Sequence, residues 1–171
     1  NIHAMIKKIL LVLLVIFIVI QFIHPKKNIN EGPQANNIEV KYAVPADVKN
    51  VLQKACYDCH SNNTTYPWYN NIQPVAWFLA KHVKDGKKEL NFDEFVNTPL
   101  RRQYHKLEEV EEQVKEGEMP LKSYIIIHKD AVLTDTEKNA LYAWVASTRS
   151  AMEAAYPIDS LKRTVAAQTS K

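Results

Sequence analysis

Apolar positions along this chain follow two different rules. From Ile9 to Ile20 twelve aliphatic or Phe residues run without a break, and the run resumes after Gln21 with Phe22 and Ile23. Beyond residue 44 the apolar residues recur instead at intervals of three and four, the period of a helix with one buried face. Val48, Val51, Leu52 and Ala55 form such a stripe behind Pro45, a residue suited to a first helical turn. Val75, Phe78, Leu79, His82 and Val83 predict a second helix over Pro74 to Asp85, with Gly86 as its stop. Tyr104, Leu107, Val110 and Val114 predict a third over Leu100 to Glu116, ending at Gly117. Thr134 with Glu137 makes a capping box for a last helix that buries Leu141, Trp144, Val145, Thr148 and Met152. Only Tyr124 to Ile127 has the composition of a strand, so the expected fold class is all-α.

The first run is long enough to matter to a membrane. Met5 to Ile23 spans about 28 Å as a helix, near the ~30 Å of a hydrocarbon core, with Lys7-Lys8 before it and Pro25-Lys26-Lys27 after. A cleaved signal fits the basic start and the length as well, but Gln21-Phe22-Ile23-His24 offers no small-residue cleavage site. The expectation is an uncleaved N-terminal transmembrane helix over residues 1–27, with no role for the four residues before Met5. Lysines flank both ends, so charge alone does not orient it. Residues 28–44 are polar, hold Gly32 and Pro33 and lack a helical period, which predicts a partly disordered tether. Residues 45–152 then make one domain and 153–171 a polar tail. Between the first two domain helices, Ser61 to Gln73 is irregular, yet Tyr66, Trp68 and Tyr69 are too many aromatics for a loop in water and should pack on something.

Composition excludes several functions. Three glycines leave no room for a GxGxxG dinucleotide turn, a phosphate-binding P-loop or a GxSxG nucleophile elbow. Of 22 Lys and Arg, four lie in the first 27 residues beside no acid, leaving 18 against all 19 Asp and Glu. The body is therefore near neutral and gives no reason to expect a nucleic acid as partner. The histidines at 24, 60, 82, 105 and 128 have unlike flanks, so their even spacing is no repeat.

Both cysteines of the chain fall in Cys56-Tyr57-Asp58-Cys59-His60, a C-x-x-C-H. Two thiols three residues apart can add to the two vinyl groups of one haem, and the histidine directly after them then reaches the iron; this is the c-type attachment signature. Expected roles are covalent haem attachment for Cys56 and Cys59 and proximal iron ligation for His60. A thioredoxin-like dithiol would need a βαβ setting, and a zinc site would need two further ligands in a recognisable pattern; the first remains a rival as an exported disulfide module without haem. Met119, in a Gly-x-Met-Pro turn about sixty residues on, is the expected distal ligand, with His82 the alternative. His105 and His128 are expected to be structural or exposed. A carbonyl at or before Pro67 or Pro74 is expected to accept from His60 Nδ1, Tyr66 and Trp68 to pack on the haem, and Arg101 and Arg102 are candidate donors to its propionates.

Taken with Ser61-Asn62, Tyr66-Pro67-Trp68-Tyr69, Ile72, Pro74, Gly86, Leu90-Asn91-Phe92 and Tyr124, these motifs make residues 40 to 150 resemble the bacterial haem-binding domain family. The resemblance implies one covalent haem c on Cys56, Cys59 and His60, in an exported and often membrane-anchored domain related to class I cytochromes c. The expected protein is thus a membrane-anchored monohaem c-type cytochrome, an electron carrier rather than an enzyme. It would sit in the bacterial cytoplasmic membrane with its domain on the periplasmic side, passing single electrons between redox protein partners. A haem peroxidase, or a redox or gas sensor, is the enzyme-like alternative and needs an open or labile distal position.

Overall fold

The computed structural model describes residues 2–163. Eight α-helices are found there and no strand. Helix α1 (Ile2–Ile20) is apolar without interruption from Ile9 and buries none of its residues. It is long and apolar enough to cross a membrane.

The domain is built from α2 (Ala46–Ala55), α3 (Tyr57–His60), α4 (Val75–Glu89), α5 (Leu100–Lys115), α6 (Lys122–Ile125), α7 (Asp135–Ala155) and α8 (Ile158–Leu161). Helix α7 packs against both α2 and α5, so the three apolar stripes read from the sequence close on one another. Val48, Val51, Leu52, Leu107, Leu141, Val145 and Met152 are almost fully buried at that junction. The capping box at Thr134 and Glu137 is formed, and Lys54 of α2 holds the same Glu137 at 2.6 Å. On the other side α4 packs on α3 and on a 3-10 turn, Trp68–Asn71, which positions the cysteine motif between the two layers.

Four details differ from the sequence reading. Gly86 does not stop α4, which continues to Glu89. Its missing side chain serves packing: a Cβ there would lie 2.7 Å from the carbonyl oxygen of Cys59. Gly117, by contrast, has φ +73° and does provide the left-handed turn that ends α5. Tyr124 to Ile127 is not a strand, since Tyr124 and Ile125 complete α6.

The segment 28–44 is not a loose tether. Asn28 donates its amide to the Ser61 carbonyl and the Thr64 hydroxyl, both at 2.9 Å. Asn37 caps a 3-10 turn, Ile38–Val40, and Ile38 and Tyr42 enter the core. Its asparagines satisfy backbone and side-chain groups across the fold, a function that polarity and the absence of a helical period do not reveal. The stretch after residue 152 is likewise more than a tail: α7 runs to Ala155, and Leu161 of α8 is 1% exposed against the core. The rest of that expected tail, 164–171, lies outside the described residues.

Candidate cofactor site

Cys56 is the hinge between α2 and α3. Its N–H still donates to Leu52 of α2 at 2.9 Å, while its own carbonyl accepts from His60 N at 2.9 Å. One turn of helix therefore carries both thiols and the imidazole. Two contacts from α4 and its exit hold that turn. Gly86 lets the helix backbone approach Cys59, and the His60 Nδ1–H donates to the Leu90 carbonyl at 2.9 Å. That acceptor replaces the carbonyl expected near Pro67 or Pro74. Leu90 is in extended backbone just after α4, where its carbonyl is released from helical hydrogen bonding.

A buried carboxylate ties the exit of the motif to the same loop. Asp93 accepts from the Asn62 N–H and from the Asn37 side chain, each at 2.7 Å, and Asn91 donates to Asn62 Oδ1 at 2.8 Å. Asp58, inside the motif, accepts from Thr65 N at 2.9 Å and from the Tyr124 hydroxyl at 2.7 Å. Burial and the Asp58 carboxylate both raise the Tyr124 pKa, so the phenol stays a donor.

Cys56, His60 and Met119 line one cavity of about 440 Å³, within the ~300–1,000 Å³ typical of cofactor clefts. Its apolar walls come from Leu90, Phe92, Val110 and Val114, and His105, Lys106 and Glu109 of α5 supply polar groups. Met119 reaches it from the turn after α5, where its N–H donates to Gln113 O at 3.1 Å before a cis bond to Pro120. With Nδ1 committed to Leu90, His60 makes no hydrogen bond through Nε2 among the described residues. Burial lowers its pKa, against the two backbone carbonyls that favour the proton, so the imidazole is neutral, the form that ligates a metal.

Other expected residues stand elsewhere. Cys59 faces a second, smaller cavity of about 110 Å³ with Tyr66, Phe78, His82, Tyr124 and His128. His82 lines that cavity and not the one with His60; its ring is tilted against Phe78 at 4.1 Å between centroids, and its Nδ1 is bonded to the Phe78 carbonyl. Tyr66 lines the second cavity while its hydroxyl accepts from Asn28 N at 2.7 Å. Trp68 does not pack on a cofactor cleft: it is 76% exposed, because the 3-10 turn that buries Asn70 points the indole outward. Arg101 and Arg102 donate to backbone carbonyls, of Asp159 and of Lys88 and Glu89 respectively. The donors facing the cleft are His105 and Lys106, which charge patterning on α5 did not separate from a solvated face. His128 is partly buried, sharing a 2.6 Å hydrogen bond with Tyr69.

The residues fit a haem. A mostly apolar cleft offers a neutral imidazole, a thioether and the Cys56 thiol, with the Cys59 thiol in the second cavity and with His105 and Lys106, both paired with Glu109, beside the cleft for propionates. They fit a reactive dithiol less well. Burial pushes the Cys56 thiol up to about 12 and the Cys59 thiol up to about 11, the reverse of what a reactive dithiol needs. Among the described residues no three His, Cys, Asp or Glu side chains converge on a metal site.

Comparison with known proteins agrees with this chemistry. No curated protein and no solved structure matches the chain. A family model described as a haem-binding domain matches residues 15–147, most of the chain and all of the elements that build the cleft. The chain belongs to the haem-binding domain family.

Proposed function

We propose that this protein is a membrane-anchored monohaem c-type cytochrome that carries single electrons between redox protein partners. The observation that carries the reading is the shared cleft of Cys56, His60 and Met119, with His60 oriented by the Leu90 carbonyl. Cys56 and Cys59 would hold one haem by thioether bonds, and His60 through its nitrogen and Met119 through its sulfur would hold the iron. Once bound, the haem supplies a one-electron Fe(II)/Fe(III) couple, at a higher potential for His/Met than for bis-His ligation.

The chain's own part is to fix that ligand set and keep it dry. Leu90 holds the imidazole, the turn at Gly117 presents Met119, and Val110, Val114 and Phe92 exclude water. With His60 and Met119 both holding the iron, the group would suit transfer of electrons rather than chemistry on a substrate. Covalent haem is attached outside the cytoplasmic membrane, which supports α1 as an anchor with the domain on the periplasmic side.

Visible spectra of the oxidised and reduced protein, produced with haem-maturation machinery, test this. A low-spin spectrum with a weak far-red band that disappears in Met119→Ala is expected. A high-spin spectrum of the unaltered protein would overturn the carrier reading and favour a peroxidase or sensor with an open position.

A further inference from the structure

Helix α1 does not simply lead away from the domain. At its end the Gln21 side chain pairs with the backbone of Gln73, donating to its carbonyl at 3.2 Å and accepting from its N–H at 2.9 Å. Gln73 is itself 0% exposed and donates to the Ile23 carbonyl at 2.8 Å, and the Trp77 indole N–H reaches the same carbonyl at 3.1 Å. The point where the apolar helix ends is thus bolted to the first turn of α4.

Around that point the surface is apolar. Trp77, Val75 and Phe78 are each more than a third exposed, and Val75 and Phe78 share the mouth of the smaller cavity with Ile127, itself 61% exposed. A contiguous exposed cluster of this kind is unusual on a soluble domain and marks an interaction site. Directly beside it the chain from Ile23 to Asn28 runs along α4, and Lys26, Lys27, Lys84 and Lys87 line one groove. Lys26, Lys27 and Lys84 form no salt bridge among the described residues, and Glu94, the one carboxylate that lines the groove with them, accepts from the Asn36 and Asn62 side chains instead. Tryptophan at the rim, aliphatic side chains and lysines in sequence away from a spanning helix are the composition of a membrane interface.

We propose that the first turns of α4, with Ile127, rest on the bilayer that α1 enters, and that the lysine groove beside them lies against anionic phospholipid headgroups. The domain is held at one fixed attitude rather than swinging on a tether, and its 440 Å³ cleft, which shares no lining residue with the cavity at that surface, stays turned to partners. The inference rests on α1 being a retained membrane helix.

The full chain, reconstituted in phosphatidylcholine vesicles with and without phosphatidylglycerol, tests it through quenching of tryptophan emission by lipids brominated on their acyl chains. Read in a Trp68→Phe background, because Trp68 is also exposed, quenching is expected and should be mostly lost when Trp77→Phe is added, since the remaining Trp144 is in the core. Lys26→Gln combined with Lys84→Gln should weaken it in vesicles with phosphatidylglycerol and leave it unchanged in those without. Flotation after a carbonate wash separates the two claims. A chain that floats while Trp77 is unquenched and open to acrylamide overturns the docked attitude alone; a chain that does not float overturns the anchor and the inference with it.

Discussion

The Nδ1 of His60 and the carbonyl oxygen of Leu90 lie 2.9 Å apart, thirty residues separated in sequence. That bond decides which ring nitrogen faces the cleft, and it depends on where α4 ends. Gly86 and Leu90 are one turn apart, the Leu90 N–H donating to Gly86 O at 2.9 Å, so the glycine that admits Cys59 and the carbonyl that orients His60 belong to a single device.

Gly86→Ala separates packing from helix propensity. Alanine is the better helix former, but its Cβ would meet the Cys59 backbone, which cannot move without moving the motif. Overpacking of this kind costs ~1–3 kcal/mol. Urea denaturation should show that loss together with a lower yield of haem-loaded protein. Gly117→Ala has open space and only the strain of a positive φ, for about 1 kcal/mol; a variant at 86 as stable as the parent would contradict the close-approach reading.

Removing Asp93 should strike the loop rather than the helices. Asp93→Ala strands the buried Asn62 N–H, at a cost of ~1–3 kcal/mol, and the half-buried Asn37 amide, at less. Asp93→Asn keeps one acceptor oxygen and should fall between. Amide hydrogen exchange should rise first at residues 61–63 and 36–38, and uniform destabilisation with no local rise would show that the network does not bind these segments together.

Thr134→Ala serves as the contrast. It removes the cap of α7, worth ~1 kcal/mol, at a position that does not line the cleft. Thermal stability should drop while the visible spectrum and potential stay unchanged; a changed spectrum would mean that α7 controls the site in a way its packing does not suggest.

The two candidate distal ligands give opposite expectations. Met119→Ala should convert the iron to high spin or lower its potential, because it empties one side of the cleft shared with His60. His82→Ala should leave both unchanged, since His82 lines the other cavity. Redox titration of the two variants beside the parent decides between them, and a loss confined to His82→Ala would reverse the assignment.

Much of this was legible in the residues. Stripes such as Leu141, Trp144 and Val145 gave their helices because burial imposes a period, and C-x-x-C-H with Gly-x-Met-Pro singled out Cys56, His60 and Met119, which the fold brings to one cavity. What stayed hidden was of a different physical kind. The Leu90 carbonyl is backbone and leaves no trace in residue type. Gly86 looked like a helix stop because a close approach and a left-handed turn both call for glycine. Asn28, Asn37 and Asn62 read as loop polarity because hydrogen bonds across thirty or more residues carry no local period, and Trp68 read as packing because an aromatic residue that faces outward has the same letter as one that faces in.

The central claim is that the cleft of Cys56, His60 and Met119 holds a haem joined to the chain. The most direct test is the intact mass of the protein produced with haem-maturation machinery, after acid–acetone extraction, beside Cys59→Ala. The account predicts that the pigment stays with the protein and adds the mass of one haem, and that the Cys59→Ala variant loses the two-bond spectrum. Haem that extracts completely from the unaltered chain, leaving both thiols free, would contradict it.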